Sequence, residues 1–179
     1  SIVTFQPLGL ILGIMPWNFP FWQVFRFSIP VLLSGNTVLL KHSLFVPSCA
    51  SLIEKIFSKL DTPKNIYQNI RLSNEDTNDL IKNPFVSAVS FTGSSKGGMS
   101  VAQTAGSALK KVLLELGGND PYLVFSDARL DNAVQSCIEG RLLNAGQSCI
   151  SAKRIIVVDE IYEQFVEKII RKLEQKTLG

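Results

Sequence analysis

Residues 9–41 read GLILGIMPWNFPFWQVFRFSIPVLLSGNTVLLK, and the fold class follows from how this stretch divides. Gly9 to Met15 is an apolar run of strand length with no polar alternation, the pattern of a buried strand. Pro16 and Pro20 restrict the backbone on either side of Trp17-Asn18-Phe19. A helix is expected after Pro20, ending near Ser34-Gly35, where the glycine favours a stop. Thr37 to Leu40 is apolar with β-branched residues and reads as a second strand. Strand, helix and strand within about 30 residues make a βαβ unit, whose strands run parallel.

The alternation continues outward. Pro47 to Leu60 is an amphipathic helix with Leu52, Ile53, Ile56, Phe57 and Leu60 on one side. Ile66 to Ile70 is a short strand, Asn74 to Lys82 a polar helix, Val86 to Phe91 a strand, Ser95 to Ala105 a helix and Val112 to Leu116 a strand. This order predicts an α/β protein with a parallel sheet. Ligands of such sheets bind beyond the carboxyl ends of the strands. Asn18, Lys41, Gly93 and Glu115 each fall at or just past such an end, so one sheet edge would present all four. Gly117-Gly118 breaks the pattern and marks an expected domain boundary. Beyond it come a strand (Tyr122 to Phe125), a helix (Asp131 to Asn144), a strand (Arg154 to Val158) and a helix (Ile161 to Gln175).

Composition narrows the function classes. The 179 residues are 46% hydrophobic and 18% charged, enough for a buried core. The net charge of +3 is spread out, with basic residues adjacent at Lys110-Lys111, Lys153-Arg154 and Arg171-Lys172, so no nucleic-acid footprint is expected. The three cysteines, Cys49, Cys137 and Cys149, include no CxxC pair, and the number is odd. A disulfide framework is not expected, and a reducing, cytoplasmic location is. With one histidine, His42, and no carboxylate cluster at ligand spacing, a metal centre is not expected either. The apolar run Leu8 to Met15 is too short for a membrane span, which needs about 20 residues, and lacks the basic flank of a signal peptide. Neither Ser1 nor Gly179 reads as a natural boundary, so a fragment is expected.

Three residues suit covalent chemistry at a carbonyl carbon. Cys149, after Gly146-Gln147-Ser148, is a sulfur nucleophile among small residues that let a substrate approach. The alternative is a core cysteine, which fits Cys49 and Cys137 better because each lies inside an expected helix. Glu115 ends the apolar strand Val-Leu-Leu-Glu, where a carboxylate is costly to bury unless paired or protonated; it could take a proton from water. Alternatively it is a structural carboxylate held by amides of the Gly-Gly turn. Asn18, between two prolines, is a fixed amide of the kind an oxyanion hole uses. The alternative is an Asn cap on the helix that follows.

Phe19, Trp22, Gln23 and Arg26 are spaced to share one helix face if the helix starts early. An aromatic wall ending in an arginine suits a short aliphatic substrate with a terminal carboxylate; a core stripe with Arg26 at its rim is the alternative. Gly93 and Ser94, in FTGSSKGG, follow a strand and open a helix, where free amides and the helix dipole attract phosphate. The motif is neither a Walker loop nor GxGxxG. Lys41 would reach ribose or phosphate, unless it is plain surface.

The runs PWNFP (16–20), SGNTVLLK (34–41), VSFTGS (89–94), LELGG (114–118) and NAGQSC (144–149), in this order and spacing, resemble the aldehyde dehydrogenase superfamily over essentially the whole chain. The resemblance implies a Rossmann-like cofactor domain, partial over 1–117, followed by the beginning of the α/β catalytic domain over 118–179. It implies Cys149 as nucleophile, with its own amide as second oxyanion donor beside Asn18, and Glu115 as the base for deacylation. Lys41 would meet the adenosine ribose and Gly93 and Ser94 the pyrophosphate, while Trp17 and Leu116 would touch the cofactor, NAD or NADP, mainly through backbone. Lys41-His42-Ser43, where most relatives have Lys-Pro, and PFWQVFR are most similar to bacterial succinate-semialdehyde dehydrogenases, and Arg26 falls where those enzymes bind the substrate carboxylate, beside Trp22 and Phe19.

Two departures stand out. Arg71-Leu72-Ser73-Asn74 replaces a Gly-rich cofactor segment. Leu44 replaces an acidic residue that would repel a 2′-phosphate, which loosens the case for NAD. The expected partner is a small aldehyde, with no nucleic acid or membrane, and the parent is expected to be a homo-oligomer. The alternatives are a truncated fragment that binds nucleotide without catalysis and a coenzyme A-acylating relative, against which Glu115 argues.

Overall fold

The computed structural model describes residues 1–177, and its backbone falls into two units, Ser1–Leu116 and a second beginning at Gly117. In the first, five strands are β1 (Leu10–Met15), β2 (Thr37–His42), β3 (Tyr67–Ile70), β4 (Val86–Thr92) and β5 (Lys111–Glu115). They form one parallel sheet in the order β3-β2-β1-β4-β5. The chain winds outward from β1 to β3, then crosses to β4 and β5 on the other side. The strand order therefore reverses between β1 and β4, where doubly wound sheets leave a crevice for ligands.

Four helices cover the sheet: α1 (Trp22–Leu33), α2 (Pro47–Phe57), α3 (Asn74–Lys82) and α4 (Ser95–Ser107). Side chains of a strand alternate between faces, and β1 shows the result. Ile11 and Met15 join Val24, Phe27, Val38, Leu40, Ile53 and Phe57 in one apolar cluster. Leu12 and Ile14 join Ile81, Val86, Val89, Phe91, Val101 and Ala105 in another. Gly13 belongs to the first face. A Cβ there would sit 2.2 Å from the Phe27 ring, so the bare α-carbon lets α1 lie against the sheet.

Most expected elements form within a few residues. β2 runs on to His42 rather than stopping at Leu40, because pairing with β1 continues to Met15 opposite His42. α2 stops at Phe57, three residues short of Leu60. Leu60 is half exposed and lies outside the packed face, and Pro63 soon after cannot continue a helix.

In the second unit, β6 (Pro121–Val124) and β7 (Arg154–Val157) pair in parallel beside α5 (Leu130–Leu142) and α6 (Tyr162–Glu174). Val124, Val134, Cys137, Ile138 and Phe165 form its core. α5 ends two residues before the expected Asn144. Leu143 leaves the helix, and Asn144, Ala145 and Gly146 follow with φ of 52°, 55° and 76°. Three successive left-handed residues cannot extend a right-handed helix.

Candidate active site

A cleft of about 710 Å³ opens in the first unit at the carboxyl ends of β1, β2 and β4. Trp17, Lys41, Gly93 and Ser94, four of the five residues expected to meet a cofactor, line it together. Lys41 is buried, and that burial lowers the pKa of its ammonium below the usual lysine value. Its Nζ lies 3.4 Å from Asn74 Oδ1. Ser94 caps α4, its Oγ accepting from the Gly97 amide. The amides of Ser95 and Lys96 then have no partner within the helix and suit an anion. The glycines serve packing as well: a Cβ on Gly93 or Gly97 would come within 2.6 or 2.8 Å of the Phe91 ring. Leu116, the fifth expected cofactor residue, is outside this lining and packs on Gly98 of α4.

The lining also contains residues that the motifs did not flag: Lys96, Asn74, Thr77 and Asn78. The Arg71-Leu72-Ser73-Asn74 segment, lacking the Gly-rich pattern, still serves the cleft. Ser73 caps α3 by accepting from the Asp76 amide, which sets Asn74 on the cleft wall. The signal was available: Asn74 follows β3 at the same sheet edge. The lining carries Lys41 and Lys96 and no carboxylate, with Leu44 at the position where an acidic residue would stand. A pyrophosphate-bearing dinucleotide fits that charge.

Asn18 is half-buried in the turn between β1 and α1. It does not cap α1: the residue at the cap is Phe21, and no side chain bonds there. Glu115 ends β5, and its backbone oxygen accepts from the Gly93 amide at 3.0 Å. Its carboxylate is half exposed rather than buried and pairs with Arg26 Nη2 at 3.2 Å. Both line a cavity of about 350 Å³ with the buried Gln23. Phe19 and Trp22 do not line it, and Trp22 is 64% exposed. The expected single face of α1 is therefore divided, because the helix begins only at Trp22 and leaves Phe19 in the preceding turn.

Cys149 lies in the second unit and is half-buried between the buried Ser148 and Ser151. The left-handed turn before it is clamped: Arg141 Nη1 donates to the Gly146 carbonyl at 3.0 Å. The Gly117-Gly118 segment packs close by, with the Gly118 Cβ position 3.8 Å from the Cys149 carbonyl oxygen. Cys137 is buried in the core, which pushes its thiol pKa up and keeps it a thiol. Among the described residues no group of three histidine, cysteine or carboxylate side chains could hold a metal ion, and no helix is long and apolar enough to cross a membrane.

The chain matches the profile of the "Aldehyde dehydrogenase family" over residues 1–179. It belongs to that family. This aldehyde dehydrogenase chain is 48% identical over 169 residues to the succinate-semialdehyde dehydrogenase [NADP(+)] of Deinococcus radiodurans, covering 94% of the chain and 35% of the relative. It is 43% identical over 179 residues to the succinate semialdehyde dehydrogenase [NAD(P)+] Sad of Escherichia coli, covering 100% of the chain and 39% of the relative. Among solved structures it resembles the Streptococcus pyogenes succinic semialdehyde dehydrogenase in complex with NADP+, with a TM-score of 0.93 at 36% identity over 97% of this chain and 38% of that one. The aldehyde dehydrogenase chain thus spans less than two-fifths of the length of the relatives it matches.

Proposed function

We propose that the chain is part of an NADP-dependent succinate-semialdehyde dehydrogenase, with the first unit as its cofactor-binding portion and the second as the start of its catalytic portion. The observation that carries this reading is the pair of Arg26 and Glu115 on one cavity. A guanidinium suited to a carboxylate stands beside a carboxylate suited to activating water. The similarity to relatives named for succinate semialdehyde points the same way.

In this reading the Cys149 thiolate adds to the aldehyde carbon, and the new oxyanion accepts hydrogen bonds from Asn18 and the Cys149 amide. Bound NADP would supply the hydride acceptor that converts this adduct to a thioester. Glu115 takes a proton from water, whose oxygen attacks the acyl carbon; succinate leaves and the thiolate returns. Lys41, Gly93, Ser94 and Lys96 would hold the phosphates and ribose, with Trp17 and Leu116 in backbone contact. The Lys41 and Lys96 charges, and the absence of a carboxylate in that lining, favour the 2′-phosphate of NADP.

The test is Cys149→Ala in the full-length protein. Turnover of succinate semialdehyde should be lost, and mass spectrometry of the unsubstituted enzyme under single turnover should find the succinyl group on the Cys149 peptide. Turnover at the unsubstituted rate would overturn the reading. A second reading is that the 179 residues alone bind nucleotide without turnover; the chain's small share of its relatives favours it. An NADP-linked assay on a sample of measured mass separates the two.

A further inference from the structure

His42, the one histidine of the chain, ends β2 and is buried, with 3% of its surface exposed. Nothing in the chemistry above uses it. Alternation along β2 sends Lys41 and His42 to opposite faces. Lys41 lines the nucleotide cleft and contacts α3. His42 turns instead toward the start of α1. Its Nε2 is 3.0 Å from the Pro20 carbonyl oxygen, and its Nδ1 is 3.2 Å from the Met15 carbonyl oxygen and 2.9 Å from the Ser43 amide nitrogen.

The partners define the proton. A carbonyl oxygen only accepts, so Nε2 carries a hydrogen and donates it to Pro20. Nδ1 is then free to accept the Ser43 N–H. That N–H is shared with the Met15 oxygen, 3.0 Å away. One imidazole therefore touches both ends of a five-residue segment: Met15 immediately precedes Pro16-Trp17-Asn18-Phe19-Pro20, and Pro20 closes it. The two prolines stiffen that segment internally but do not fix it to the sheet. Its near end continues from β1, whose Met15 carbonyl takes the Ser43 amide, and its Phe19 carbonyl takes the Gln23 amide of α1; His42 adds the bond from β2 to the Pro20 carbonyl at its far end.

We propose that His42 is a positioning residue for Asn18, fastening the far end of the Pro16–Pro20 turn to the end of β2 through the Pro20 carbonyl, with its Nδ1 sharing the Ser43 N–H that the Met15 carbonyl also accepts. This inference rests on the reading of Asn18 as an oxyanion donor. A donor is useful only where charge develops, and a displacement of about 1 Å can cost about 100-fold in rate.

The experiment compares His42→Asn and His42→Gln in the full-length protein. The glutamine amide reaches as far as Nε2 and can still donate to Pro20; the asparagine amide reaches only as far as Nδ1. His42→Asn should lower kcat about 10- to 100-fold and speed hydrogen exchange at the Trp17, Asn18 and Phe19 amides. His42→Gln should restore both most of the way. NADP affinity should change less than kcat in either, since Trp17 belongs to the fastened turn while Lys41, Gly93, Ser94 and Lys96 of the cleft do not. In an Asn18→Ala background, His42→Asn should add little further loss, because residues that act through one another are not additive.

Unsubstituted kcat and exchange in His42→Asn would overturn the proposal. So would a glutamine variant no better than the asparagine one, or losses that add fully with Asn18→Ala. If His42→Asn does not fold, His42→Gln alone and with Asn18→Ala decides: Gln must keep the slow exchange. Asn18→Ala with unchanged turnover would instead sink the oxyanion reading, while the exchange data still report on the fastening.

Discussion

The two units hold their candidate functional side chains by different means. In the first, Lys41 and Glu115 sit at the ends of parallel strands, Gly93 immediately follows such an end, and Asn18 follows β1 after Pro16 and Trp17. The register of those strands is set by apolar clusters on both faces of the sheet. In the second, Cys149 follows a left-handed turn beside a two-stranded sheet with one small core. Position is thus inherited from long-range packing in one unit and from local backbone geometry in the other. Isosteric changes at strand ends should alter chemistry and leave geometry intact, whereas changes in the turn should alter geometry first.

The sharpest use of that difference is Glu115→Gln in the full-length protein. Glutamine keeps the shape at the end of β5 but cannot take a proton. Steady-state turnover should fall about 10²- to 10⁴-fold, the usual worth of a general base. Hydride transfer should survive, so stopped-flow absorbance should still show a burst of reduced cofactor. Loss of the burst together with steady-state turnover would mean that Glu115 holds structure, and the strand-end argument would break there.

Arg26→Ala probes the neighbouring residue. Its side chain is 43% exposed and shares its charge with Glu115, so solvent screens it and a smaller effect than for a buried pair is expected. The ratio of kcat/KM for succinate semialdehyde to that for an uncharged aldehyde of similar length should fall about tenfold, on the order of 1.4 kcal/mol. An unchanged ratio would separate Arg26 from substrate selection.

Why the first unit was readable follows from the same contrast. Its helices and strands are long enough for periodicity to show, and Gly93 and the strand ends lie where the βαβ pattern requires them. What escaped was assembled from elsewhere: Asn74 and Thr77 reach the cleft from a helix start that carries no motif, and Lys96 from inside FTGSSKGG, where the glycines and serine drew the reading. The split face of α1 depended on whether the helix began before or after Phe21, a difference of a single turn that periodicity does not resolve. His42 was visible only as a substitution for the usual proline, because its bonds are to backbone carbonyls and leave no side-chain pattern. In the second unit the cysteine was marked by its peptide, but its left-handed approach was not. Of the three left-handed residues, Gly146 alone is of a type that adopts this conformation at no cost.

Ala145 supplies the finest test of the local side of the contrast. An alanine at φ 55° brings its Cβ close to the following carbonyl, a strain of about 1–2 kcal/mol. Glycine removes the clash but adds freedom to the unfolded chain, worth about 0.4–1 kcal/mol. The balance predicts that Ala145→Gly stabilises the full-length protein by up to about 1.5 kcal/mol, read as a higher urea midpoint at unchanged slope. Ala145→Val, with a β-branched side chain in the same conformation, should lower the midpoint. A strand end would show neither response, since valine is at home there. If glycine destabilises and valine is tolerated, the approach to Cys149 is ordinary extended chain, and the sulfur is placed by packing just as Glu115 is.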